Sequence, residues 1–337
     1  MRFLFLSDTH LGLDIPKHPR VHTPRRGEDF LANYRLALEP ALRGEVDLVL
    51  HGGDLFDRSQ PPDRVILDAA MSLVEIADRG VPVFIVPGNH ERSWIPGGIL
   101  FAHPMLHMFL EPKTHVFEVG PVRTAISGFS FVRDTSREDF PVQVAATEWD
   151  QVEADLRLFL LHQTFEGAKA GSGDYTFRRG PDIIPLASIP ESVDVVMAGH
   201  MHRHQSLTDR EGRLRVLYPG STERTAYAEV GETKGYILGE FAGGELTWEF
   251  VELPTRSMVM VNVVGLTTPG DLVAEAMDVL AAQPDDGMIR MKIYAPRVWN
   301  GTVQNLMKAL YRAAKARRLH ISISGYLDQL PKVPVSK

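Results

Sequence analysis

The chain has 337 residues, 44% hydrophobic and 23% charged, with 36 Lys+Arg against 43 Asp+Glu for a net charge of −7. That length buries one large core or two of ordinary size, and the balance excludes a disordered or fibrous chain. Zero cysteines exclude disulfides, cysteine-held zinc, iron–sulfur clusters and thiol catalysis, and they suit a reducing cytoplasm, the expected location. The Met1–Leu6 apolar run is too short for a signal peptide, and no segment approaches the ~18 apolar residues of a membrane span.

Five short apolar runs punctuate the first 200 residues: Phe3–Leu6, Val46–Leu50, Val83–Val86, Leu158–Leu161 and Val193–Met197. They lack polar alternation and are rich in β-branched or large apolar side chains, which predicts strands covered on both faces. Between them, Glu28–Leu42 and Arg64–Arg79 carry apolar residues at helical spacing. Strand–helix alternation predicts an α/β core. Past residue 205 the spacing predicts strands over Leu214–Leu217, Gly235–Phe241 and Leu246–Leu253, and Pro254-Thr255 marks a boundary. Beyond it, Met258–Val264, Met288–Tyr294 and His320–Ser324 read as strands, with helices over Gly270–Ala282 and Thr302–Arg318 between them. This β-α-β-α-β unit of 255–325 is long enough for its own small core, and 326–337 reads as a C-terminal tail.

Chemistry stands at the end of each apolar run. The first leads into Asp8-Thr9-His10, the second into Gly53-Asp54, the third into Gly88-Asn89-His90, the fourth into His162 and the fifth into Gly199-His200-Met201-His202. Ligands of open α/β sheets sit at the carboxyl ends of strands. Asp8/His10 and His200/His202 are spaced i, i+2, so in extended backbone each pair points to one side. Taken singly, each is ordinary: an Asp-x-His is common, Asn89 suits a turn and His162 suits a satisfied histidine near a core. Together, Asp8, His10, Asp54, Asn89, His162, His200 and His202 are seven oxygen and nitrogen donors, too many for one tetrahedral ion and suited to two ions sharing a carboxylate. Two ions ~3.5–4 Å apart suit in-line displacement at phosphorus, activating a hydroxide between them.

These motifs resemble the five motifs of calcineurin-like metallophosphoesterases. Ser7-Asp8-Thr9-His10-Leu11-Gly12, Gly53-Asp54-Leu55-Phe56-Asp57 and Tyr218-Pro219-Gly220-Ser221-Thr222-Glu223-Arg224 further resemble the SbcD family of DNA repair exonucleases, which includes the nuclease subunit of the double-strand-break repair complex. The resemblance implies a four-layer αββα sandwich over 1–254 with a small β-α-β-α-β capping, DNA-binding domain. It implies one metal held by Asp8, His10 and His202, another by Asn89, His162 and His200, and Asp54 bridging them. His90 would then be the histidine that stabilises the transition state or protonates the leaving oxygen. Manganese is the family's preferred ion, with iron or zinc as alternatives. Asp57 stands where eukaryotic members carry a second histidine, and it reads either as an orienter of a ligand histidine or as a turn aspartate. Implied partners are DNA, a homodimer mate formed through helices such as Arg64–Arg79, and an SbcC-type ATPase, whose binding segment in the family is a further helical stretch that this sequence does not show after the cap.

The net charge is uneven. Residues 255–337 hold 11 Lys+Arg and 6 Asp+Glu, a net of +5, so 1–254 carry 25 against 37, a net of −12. On the second helix of the cap, Lys308, Arg312 and Lys315 fall at i, i+4 and i+7, a stripe that tracks phosphates or is simply a solvated face. Two loops leave metal motifs with cations of their own: Lys17, Arg20, Arg25 and Arg26 after the first, and Lys169, Arg178 and Arg179, with Tyr175 and Phe177 interleaved, after His162. Arg92 follows the third motif. Cations there would hold a polyanion and the aromatics would stack on bases. The sequence therefore points to a metal-dependent phosphodiesterase acting on DNA as a 3′-5′ exonuclease with single-strand endonuclease activity. A phosphodiesterase or phosphatase of small nucleotides is the enzymatic alternative, and a noncatalytic DNA-end-binding scaffold the non-enzymatic one.

Overall fold

In the computed structural model, which describes residues 1–14, 26–91, 103–119, 121–171 and 174–329, the five apolar runs are the strands Arg2–Leu6, Leu48–His51, Val83–Ile85, Leu156–His162 and Val195–Gly199. They sit inside two six-stranded sheets. In the first, Arg2–Leu6, Leu48–His51, Val83–Ile85 and Leu106–Met108 run parallel, and Gly235–Ala242 with Glu245–Glu252 extend it as an antiparallel edge. In the second, Leu214–Tyr218, Val195–Gly199, Leu156–His162 and Val122–Gly128 run parallel, flanked by antiparallel Gln205–Thr208 and Lys113–Val119.

Strand alternation explains the layering. Phe3, Phe5, Leu48 and Leu50 turn one way and pack on Leu158, Leu160, Val195 and Met197 of the other sheet. Leu4, Leu6 and Val49 turn the other way, onto helices α1 (Gly27–Leu42) and α2 (Asp63–Asp78). On the far side of the second sheet, Phe159, Leu161, Val196 and Ala198 bury Phe140 and Val144 of α3 (Ser136–Ala146). The result is the expected helix–sheet–sheet–helix sandwich, and each fully buried Leu or Phe contributes about 1.5–3 kcal/mol to it. No local pattern announced α3, which contains Pro141 and has no continuous apolar face, or the Lys113–Val119/Val122–Gly128 hairpin, whose outer strand is mostly half-buried or exposed.

The chain divides into two units. The first comprises Met1–Leu13, Gly27–Thr225 and Glu232–Pro254. The second takes residues 255–329 together with Ala226–Gly231, Asp14 and Arg26, which lie ahead of the Pro254-Thr255 boundary in sequence. In the second unit, Met258–Val264, Met288–Ala295 and His320–Leu327 form a parallel three-stranded sheet. The last strand runs two residues into the stretch expected as tail. Helix α4 (Pro269–Ala281) begins with the Thr268 hydroxyl accepting the Asp271 N–H at 3.2 Å and Pro in its first turn. Helix α5 (Asn300–Ala316) buries Val303, Leu306, Leu310 and Ala314 and leaves Lys308, Arg312 and Lys315 exposed. No helix among the described residues is long and apolar enough to cross a membrane.

Candidate metal centre

All seven expected donors leave the carboxyl ends of strands in the first unit, and the backbone bends sharply to aim them. Asp8, His10, Asp54 and His200 adopt positive φ, at 52°, 44°, 50° and 86°. Such left-handed backbone at non-glycine residues costs free energy and persists only where surrounding contacts impose it. Here the first two loops run side by side as an extension of the sheet. Asp8 N–H donates to Gly53 O at 2.9 Å, His10 N–H to Asp54 O at 3.0 Å and Leu11 N–H to Leu55 O at 2.9 Å. A Cβ at Gly53 would collide with the His162 ring, and one at Gly88 with the Asp54 carboxylate, so both positions need glycine.

The donors converge in two groups. His10 Nε2 lies 3.0 Å from His202 Nε2, and Asp8 Oδ1 lies 3.8 Å from that same His202 nitrogen. Asn89 Oδ1 lies 2.8 Å from His200 Nδ1 and 3.1 Å from His162 Nε2, and those two nitrogens are 3.3 Å apart. Asp54 Oδ2 stands between the groups, 3.9 Å from His10 Nε2 and 3.4 Å from His162 Nε2. Donor atoms of Asp8, His10 and His202, and again of Asp8, Asp54 and His162, fall within 4.8 Å of one another. Two nitrogens bound to one cation at ~2.1 Å, subtending roughly 90–105°, are about 3.0–3.3 Å apart, which is the spacing of both histidine pairs. The donor set therefore fits two cations, with the Asp54 carboxylate placed to serve both.

Electrostatics agrees. Burial raises Asp54, but His162, then His10 and His90, outweigh it and hold the carboxyl below the usual carboxylate range. Burial likewise raises Asp8 against the pull of His162 and His202. Burial would lower His162, yet facing Asp54 and Asp8 pushes it up to about 9. His200 is driven down to about 3 by burial and by the charge of His162. The same field favours a divalent cation, and a cation bound to His162 Nε2 would displace that proton.

His90 sits at the rim, its ring edge-on to His10 with centroids 4.8 Å apart. Its Nδ1–H donates to the backbone carbonyl of Asp57 at 2.6 Å, which leaves Nε2 for the site, 4.0 Å from Asp54 Oδ2. The Asp57 carboxylate stands at ion-pair distance from a ligand histidine and from His90, with Oδ1 4.0 Å from His10 Nδ1 and 3.9 Å from His90 Nδ1. The carbonyl of Asp57 fixes the orientation of the His90 imidazole.

Three residues of the site escaped sequence reading. Glu91 is fully buried and accepts the Phe56 N–H at 2.8 Å and the Gly88 N–H at 2.7 Å, joining the second and third loops. Burial, and then the Asp54 charge, push it up to about 8. An acid directly after Asn89-His90 was the available signal. His51, also fully buried, is held down to about 3 by burial and by His162. Phe131 packs its ring on His200 and His162, at centroid distances of 5.5 and 5.9 Å.

The candidate DNA contacts separate. A cleft of about 450 Å³ opens beside Asn89 and His200 and is lined by Phe131, Arg133, Tyr175, Phe177 and Arg179. Lys169 and Arg178 are exposed on the same loop but do not line it. Arg26 is a correction: it is fully buried, with its charge acting on the Tyr227 phenol, and so does not face a polyanion in solvent. Lys17, Arg20, Arg25 and Arg92 lie outside the described residues.

The chain is 30% identical over 266 residues to the DNA double-strand break repair protein Mre11 of Haloferax volcanii, covering 78% of this chain and 54% of that protein. It is 26% identical over 287 residues to the Mre11 of Methanopyrus kandleri, covering 79% and 60%. It is also 26% identical over 261 residues to the uncharacterized metallophosphoesterase YhaO of Bacillus subtilis, covering 74% and 60%. The chain thus spans between half and two thirds of the length of these relatives. Residues 1–204, which carry all seven donors and His90, match the calcineurin-like phosphoesterase family, and the chain belongs to that family.

Proposed function

We propose that this protein is a dinuclear-metal phosphodiesterase of the cytoplasm that hydrolyses DNA, as a 3′-5′ exonuclease with single-strand endonuclease activity, and takes part in DNA repair. The observation that carries the proposal is the pair of donor groups sharing Asp54, with His90 Nε2 free at their rim. Asp8, His10 and His202 would hold one cation, Asn89, His162 and His200 the other, with manganese the preferred ion. Bound there, the two ions would supply Lewis acidity toward the phosphoryl oxygens and lower the pKa of the attacking water. His90, oriented by the Asp57 carbonyl, stabilises charge on the transferring phosphoryl group or gives a proton from Nε2 to the leaving oxygen. The cleft beside Asn89 and His200 favours a nucleotide: Tyr175 and Phe177 offer stacking faces, and Arg133 and Arg179 offer cations to the phosphates.

DNA as partner also rests on the naming of the relatives as double-strand break repair proteins. The exposed Leu67 and Met71 on α2 support the implied homodimer, which light scattering tests directly. The SbcC-type ATPase is carried by the family resemblance alone, and co-purification with such an ATPase tests it. For activity, the decisive assay offers 3′- and 5′-labelled linear duplex and single-stranded DNA, a cyclic nucleotide and an aryl phosphodiester, each with Mn, Mg and Zn. Shortening from the 3′ end with Mn supports the proposal. Turnover of the small substrates alone replaces it with a small-nucleotide phosphodiesterase. Stoichiometric metal with no turnover of anything leaves a binding scaffold.

A further inference from the structure

His51 is a fully buried imidazole that no step above uses. Both of its nitrogens are engaged. The Gly53 N–H donates to Nδ1 at 3.2 Å, which makes Nδ1 the acceptor and places the ring proton on Nε2. Nε2–H then faces the Thr9 hydroxyl at 3.2 Å, and that hydroxyl donates to the Leu55 carbonyl at 3.0 Å. The direction of every bond is thereby set. The chain leaves Gly53, passes through His51 and Thr9, and returns at Leu55, closing a ring around Asp54. Thr9 in turn lies between Asp8 and His10. Three of the four positive-φ donors, Asp8, His10 and Asp54, are on the two segments this ring joins.

We propose that His51 is a positioning residue that, through Thr9, locks the left-handed turns presenting Asp8, His10 and Asp54 to the metals. The backbone bonds between the two loops set their separation. The His51–Thr9 link adds a side-chain tie inside the turn, where the Gly53 N–H and the Thr9 hydroxyl would otherwise be buried without these partners. An imidazole suits this place because its two nitrogens, one accepting and one donating, match a backbone donor on one side and a hydroxyl on the other. The proposal rests on the reading that these carboxylates and His10 hold divalent cations.

The test measures Mn²⁺ binding to the metal-stripped full chain by calorimetry, alongside amide hydrogen exchange across residues 51–57. Thr9→Val removes only the hydroxyl and keeps the shape. It should weaken Mn²⁺ binding about 10- to 100-fold, the range typical of partners that orient metal ligands, and speed exchange at Gly53–Leu55. Thr9→Ser should restore both, and His51→Phe should reproduce Thr9→Val. Should His51→Phe fail to fold, Thr9→Val with its serine rescue decides alone. Wild-type Mn²⁺ affinity in Thr9→Val, or a Thr9→Ser protein as weak as Thr9→Val, overturns the proposal. Failure of the wild type to take up Mn²⁺ overturns the metal reading instead. The exchange measurement then still judges the clamp, since unchanged exchange in Thr9→Val removes it.

Discussion

His90 and Glu91 are neighbours in sequence with different work. His90 presents Nε2 to the site while Asp57 O holds its other nitrogen. His90→Asn is expected to leave both metal sites filled and to lower kcat by ~10²-fold or more; unchanged turnover of an aryl phosphodiester would remove His90 from the mechanism. Glu91 uses both carboxyl oxygens as acceptors for backbone N–H groups of two different loops. Glu91→Gln turns one acceptor into an NH₂ that faces a donor. It should cost about 1–3 kcal/mol, read as a lower Tm in chelator, because a buried donor loses its partner. A Tm equal to that of the wild type would show that the two loops are held without it.

At the level of elements, a ring stack joins the two sheets, with Phe84 and His107 from the first and His115 and Phe117 from the hairpin of the second. The His107 ring lies 4.6 Å from Phe84 and 4.7 Å from His115, and Phe84 packs in turn on Phe117 at 5.4 Å. Burial first, then His107 and Lys113, hold His115 down to about 4. The ordinary value for histidine is near 6.5. Between those two values the unfolded chain binds a proton that the folded chain refuses, so stability falls as pH drops from about 6.5 towards 4. His115→Gln should therefore lose less Tm than the wild type between pH 7.5 and 5, with scanning calorimetry as the measurement. Equal losses would place the acid sensitivity elsewhere.

Across the whole molecule, charge is partitioned rather than averaged. The net −7 combines a body at −12, two of whose acids, Asp8 and Asp54, are in the candidate metal centre, with a C-terminal region at +5. The exposed stripe Lys308, Arg312 and Lys315 has no ion pair among the described residues. If it tracks phosphates, replacing all three with Ala lowers the slope of log K for DNA against log salt by about 2–3 and leaves aryl phosphodiester hydrolysis unchanged. An unaltered salt slope would make the stripe a solvated helix face.

What was legible in the sequence was local. Strands covered on both faces are necessarily continuous apolar runs, so five of them could be read directly, and the donors could be read because each run delivers its own at a strand end. The same holds for α1, α2, α4 and α5, whose apolar stripes repeat at helical spacing. The β-α-β-α-β pattern after Pro254 was legible for that reason too. What lacked such a signal needed the tertiary structure. Helix α3 and the Lys113–Val119 strand have no clean periodicity and are set by the surfaces they cover. The left-handed turns at Asp8 and Asp54 are imposed by bonds between segments some 45 residues apart, such as Asp8 N–H to Gly53 O. Arg26 looked like one more surface cation beside a metal motif, and only packing showed it buried. Glu91 and His51 looked like ordinary polar residues until burial revealed which backbone donors they serve. Donor identity is a property of side chains and is written in the sequence. Donor geometry is a property of contacts between distant segments, and only the folded chain decides it.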